Sequence, residues 1–164
     1  MKISTFIIIA IFTVSMGALA QSKARAKRIL NFTYEVQCLG ADMGGMYTVK
    51  AFGRGNSRKD AIEDGFKQAL YAVIFKGVTL GKPGCDARPL VNVPNAEETY
   101  EEYFNNFFKD GGEYKMYLTE DDTPNKDTKK EKKGSEDVYS VIATIKVSEL
   151  KKALINKGII PKPE

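Results

Sequence analysis

Residues 49–70 read VKAFGRGNSRKDAIEDGFKQAL, and the fold turns on how this stretch is parsed. Its first third alternates apolar and polar residues, with Val49 and Ala51 on one side of an extended chain. Its last two thirds repeat every three to four residues. Ala61, Gly65 and Ala69 form a stripe of small residues continued by Val73, and Ile62, Phe66 and Leu70 run beside it toward Ile74. Ser57 stands where a helix N-cap is needed, with Asp60 three residues on in the place of a capping-box acid. The segment is therefore a strand passing through a glycine-rich corner into a helix that can lie close on a sheet. Gly65 costs roughly 0.5–1 kcal/mol relative to alanine in mid-helix, so close approach is the reason for it.

The corner itself, Gly53-Arg-Gly-Asn-Ser-Arg-Lys59, invites comparison with phosphate-binding loops. A dinucleotide fingerprint needs a third glycine where Arg58 stands, within a parallel βαβ unit. A P-loop needs Gly-Lys-Ser/Thr at its end, and the spacing fails. Two readings stay open. One is a structural corner; the other is an anion site at the helix N-terminus, with Arg54, Arg58 and Lys59 as contacts.

Outward from this unit, ILNFTYEVQCL (29–39) alternates, with Leu30, Phe32, Tyr34, Val36 and Cys38 sharing a face. The glycine-rich turn 40–45 joins it to MYTVKAF (46–52) as a hairpin. Residues 77–95 carry three prolines and form a long irregular connection. Asn95 then caps a second helix, with Glu98 at its third position. Along it Tyr100, Tyr103, Phe104, Phe107 and Phe108 recur at i, i+3, i+4, i+7 and i+8, and KDGG ends it. EYKMYLTE (113–120) alternates as a third strand and VYSVIATIKV (138–147) as a fourth. The polar run between them reads as a hairpin tip. A last helix starts at a Ser148 cap and ends at Gly158, with Ile159 folding back toward Leu154. The expected fold is α+β in the order β-β-α-α-β-β-α: a mainly antiparallel, four-stranded sheet with helices on one face.

Residues 1–20 hold a basic Lys2, an apolar run from Ile3 to Val14, and Ala18-Leu19-Ala20 at a small-x-small site. This predicts a signal peptide cleaved after Ala20. Its apolar part is shorter than the roughly 20 residues of a membrane span. Residues 21–28 read as a polar leader and 29–164 as a single domain. The expected location is the periplasm or the outer membrane, with secretion as a further possibility. In an exported chain the pair Cys38 and Cys85 suggests a disulfide, set against two reduced buried thiols.

The formal charge of +4, from 25 basic and 21 acidic side chains, is mild and interspersed, so no nucleic-acid footprint is present. The chain has no histidine, which removes the commonest general base and the usual nucleophile dyads. The acidic face Glu97, Glu98, Glu101 and Glu102 reads as solvated. EDDTPNKD (120–127) lacks the glycine and closing glutamate of a calcium loop. Lys129, Lys130, Lys132 and Lys133 are diluted by acids and read as a solvated tip. No catalytic residue, metal or cofactor is expected. The aromatic stripe has two readings, core packing or a surface that docks a partner.

VKAFGRGNSRKDAIEDGFKQAL, with YSVIATIKV and LKKAL, resembles the strand-glycine-helix pattern of small Gram-negative envelope domains. Examples are the N-terminal domain of the flagellar protein FlgT and related outer-membrane lipoproteins. The likeness covers residues 46–77 and 139–158. It implies a noncatalytic assembly or adaptor domain acting on an envelope protein partner. This chain departs from the pattern in having no lipobox cysteine, no second domain and an additional aromatic helix. A small-ligand or anion-binding periplasmic module is the alternative function.

Overall fold

The computed structural model describes residues 35–119, 130–133 and 136–162. The expected signal peptide, the leader, the start of the first strand and most of the polar tip fall outside these. The described elements are β1 (Gln37–Ala41), β2 (Met46–Gly55), α1 (Arg58–Tyr71), a π-helical turn (Ala72–Lys76) and β3 (Leu80–Gly81). They continue with α2 (Ala96–Thr99), α3 (Glu101–Phe108), a 3-10 turn (Glu113–Tyr117), β4 (Lys130–Lys133), β5 (Glu136–Lys146) and α4 (Val147–Asn156). The α+β architecture is as expected. The sheet has five strands in the order β3-β1-β2-β5-β4, all antiparallel except the two-residue β3, which runs parallel to β1.

The β1–β2 hairpin closes through Asp42, whose side chain accepts from Met46 N at 2.8 Å. β2 and β5 pair without interruption from Met46↔Lys146 to Gly55↔Asp137. Val49, Ala51, Val141, Ala143 and Ile145 therefore share the face that meets the helices, and all are buried. On the other face Phe52, Val138 and Ser140 are buried as well.

The small stripe of α1 meets this sheet. Ala61 and Ala69 have no exposed surface, and a Cβ on Gly65 would lie 2.7 Å from Val141 Cγ2. Ser57 caps the helix by accepting from Asp60 N. At its other end α1 widens into the π turn, where Gly77 N donates to Ala72 O. The carbonyls of Val73 and Ile74 accept from Leu90 N and Val91 N, so the returning loop satisfies the end of the helix. The disulfide Cys38–Cys85, Cα atoms 6.0 Å apart, pins the same loop to β1.

Four expectations need correction. Residues 113–117 form a 3-10 turn, because Tyr114 and Tyr117, three apart, are the side chains drawn into the core, while Met116 is exposed. The end of the stretch does reach the sheet: Leu118 bridges Ile145, and Thr119 N donates to Thr144 O at 3.1 Å. β4 lies within the polar run read as a tip; its sequence, KEKK, has no apolar alternation to reveal it. The aromatic helix is broken at Tyr100 into α2 and α3, and Asn95 sits left-handed at φ 55° without a side-chain cap bond. Lastly, α4 begins one residue ahead of Ser148, whose N–H donates to Gly45 O across the hairpin turn. The end of α4 is as read: Gly158 is left-handed at φ 72°, donating to Ile155 O, while Ile159 N donates to Leu154 O.

Candidate functional site

The glycine corner is occupied by packing. A Cβ on Gly53 would stand 2.0 Å from Ala61 O, and one on Gly55 2.4 Å from Ala61 N. The backbone of β2 thus lies directly on the first turns of α1. Ser57 takes two of that turn's donors, from Asp60 by its hydroxyl and from Ala61 by its carbonyl. Arg54 N donates to Asp64 Oδ2 at 2.9 Å. Arg58 and Lys59 are exposed on the outside of the corner, with Asp60 beside them. The glycines are needed for strand–helix contact, and the space they leave is filled by protein.

The aromatic residues form one connected assembly. Phe104 and Phe107 are buried, at 6% and 1% exposure, so these two of the five candidate partner contacts belong to the core. Tyr100, Tyr103 and Phe108 are half-buried around them. Phe75 meets Phe104 edge-on at 4.7 Å, Phe107 meets Phe108 edge-on at 4.8 Å, and Tyr117 stacks on Phe107 at 5.8 Å. Tyr71 bridges Phe75 and Phe108 at 5.0 and 6.3 Å. Such tilted and edge-on contacts suit the ring quadrupoles and fix the rotamers. The periodicity of residues 100–108 marks Tyr100 and the four rings of α3. It does not disclose that Tyr71, Phe75 and Tyr117 join them, although Tyr71 and Phe75 stand four apart.

Hydroxyls tie the rim in place. Tyr71 donates to Glu97 Oε1 at 2.7 Å, and Tyr100 to Gly158 O at 3.2 Å. Burial, then the neighbouring Glu97, pushes the Tyr71 hydroxyl far above the usual phenol range. Tyr103 is pushed up to about 12, by burial first and then by Glu113 and Tyr117. Its hydroxyl oxygen is shielded and has no hydrogen-bond partner among the described residues. Beside it an open cleft of about 530 Å³ is lined by Glu102, Tyr103, Asn106, Lys109, Gly112 and Glu113 among others.

Behind the assembly lies a polar knot that the sequence did not disclose. Lys67 is 6% exposed and its ammonium lies 2.8 Å from Asp110 Oδ1 and 3.9 Å from Glu63 Oε1. Tyr114 donates to the same Glu63 oxygen at 2.7 Å, and the Lys67 ammonium sits 5.4 Å from the Tyr114 ring centre. The knot holds α1 to the turn after α3. Burial of Lys67 depends on partners 43 and 47 positions away in sequence, which no local pattern encodes.

Among the described residues, no group of three or more histidine, cysteine, aspartate or glutamate side chains could hold a metal ion. No helix among them is long and apolar enough to cross a membrane. Comparison of the chain with protein-family models, with curated proteins and with solved structures returns no match.

Proposed function

We propose that this chain is an exported, noncatalytic envelope protein that works as an accessory or assembly factor through protein–protein contact. The observation that carries the reading is the half-exposed aromatic rim of Tyr100, Tyr103 and Phe108, braced by the buried Phe104 and Phe107. Rigid aromatic side chains bring large contact area at low entropic cost, and residues of this kind dominate binding energies at interfaces. The Cys38–Cys85 bridge supports export, since such bonds persist in oxidising compartments. The FlgT-like pattern in residues 46–77 and 139–158 belongs to the same proposal and supplies its adaptor character.

The test is crosslinking in the native envelope, from a photoreactive residue at exposed Glu101, with the captured protein identified by mass spectrometry. One reproducible partner is expected, and its capture should fall with Tyr103→Ala and Phe108→Ala in a protein that still folds. A chain that gives no specific crosslink from Glu101 would overturn the reading.

A further inference from the structure

We infer that the partner meets α2–α3 with a basic segment carrying apolar anchors, an inference that rests on the partner-docking reading above. Residues 96–113 hold Glu97, Glu98, Glu101, Glu102, Asp110 and Glu113 against Lys109 alone, in a chain whose overall charge is +4. Two of these carboxylates are engaged internally, Glu97 by Tyr71 and Asp110 by Lys67. Glu98, Glu101, Glu102 and Glu113 are exposed beside the aromatic rim. Covering such carboxylates with an apolar or acidic surface would strip their water without replacing it, whereas lysine or arginine supplies both donors and opposite charge.

The rings have the matching chemistry. Two lysines of this chain already lie over tyrosine faces of the assembly: Lys76 is 5.3 Å from the Tyr71 ring centre and Lys157 is 5.9 Å from that of Tyr103. Both contacts are within cation–π range. The cleft beside Tyr103 has Glu102 and Glu113 on its walls, while the ammonium of Lys109 is 3.5 Å from Asn106 Oδ1. A long basic side chain could lay its methylene stem along the rim and carry its charged head to those carboxylates. Charge complementarity selects the partner, and the aromatics supply the contact area.

The experiment titrates isotope-labelled protein with an amphipathic lysine/leucine peptide, and separately with a glutamate/leucine peptide of the same pattern, following backbone amides by NMR. Saturable shifts confined to residues 96–113 are expected with the first peptide and none with the second. The triple variant Glu98→Lys/Glu101→Lys/Glu102→Lys, altered only at exposed positions, should bind the lysine/leucine peptide about tenfold more weakly with an otherwise unchanged spectrum. Absence of binding, equal binding of both peptides, or affinity untouched by the charge reversal would overturn the inference. Any of these alongside a specific crosslink from Glu101 would remove the basic segment and leave the docking surface standing.

Discussion

Replacing Gly53 by alanine tests the packing reading of the glycine corner. The added Cβ would fall 2.0 Å from Ala61 O and 2.2 Å from Gly65 N, both backbone atoms, where real Cβ contacts essentially never come under 3.0 Å. No side-chain rotation relieves this, so α1 must lift from β2 by roughly an ångström. A radial gap of that size forfeits about a quarter to a half of each contact's dispersion energy, here along the buried Ala61, Gly65 and Ala69 stripe. The cost should be near the top of the overpacking range, about 3 kcal/mol. Gly40→Ala is the control: nothing lies within 4 Å of its Cβ and its φ is ordinary, so a gain of about 0.4–1 kcal/mol is expected from the unfolded chain. Urea unfolding followed by far-ultraviolet circular dichroism measures both, compared at constant slope. A Gly53→Ala protein within about 0.5 kcal/mol of the parent would refute the packing account, because change of that size is what neutral surface sites give. A corner that also binds an anion would make the parent's unfolding midpoint rise with added phosphate.

Other outcomes follow from the same contacts. Phe107→Ala, at a site 1% exposed, should cost about 3–5 kcal/mol in the same unfolding assay, and half-buried Phe108→Ala clearly less. Equal losses would mean that rim and core are not distinct. Replacing both Cys38 and Cys85 removes a cross-link between residues 47 apart, and should lower unfolding stability by up to about 4 kcal/mol. A double variant as stable as the parent would show that the loop is held without the bond. Tyr71, Tyr103 and Tyr117 have raised hydroxyl pKa values in the fold, Tyr103 to about 12 against an ordinary 10.0. An acid whose folded pKa is raised contributes stability that is complete below its unfolded pKa. Above pH 10 the unfolded chain loses these protons first, so stability should fall from there through pH 12. Phenolate absorbance that completes its rise near pH 10 in still-folded protein would contradict the burial.

Legibility in the sequence tracks how local each determinant is. The hairpin, the Ser57 cap, the small stripe of α1 and the Gly158 terminus are settled within a few neighbouring residues. They stand as the pattern indicates. Residues 113–117 failed because their alternation is equally satisfied by an i, i+3 pair. The choice is made by Glu63 and Phe107, contacts that only the tertiary fold supplies. Lys67 was unreadable for the same reason, and β4 because a polar edge strand has no apolar period. The candidate site was half visible: five rings of the aromatic helix were marked, but their division into core and rim depends on Phe75 and Tyr117, which sit on other elements.

The most direct measurement places the photoreactive residue at Glu101 beside the aromatic rim and, as a control, at Arg58 on the outside of the glycine corner, both exposed. Crosslinking is then carried out in the native envelope. A single partner captured from Glu101 and not from Arg58, and lost with Phe108→Ala, is the result that aromatic docking predicts. Capture from Arg58 alone, or from neither position, would contradict it.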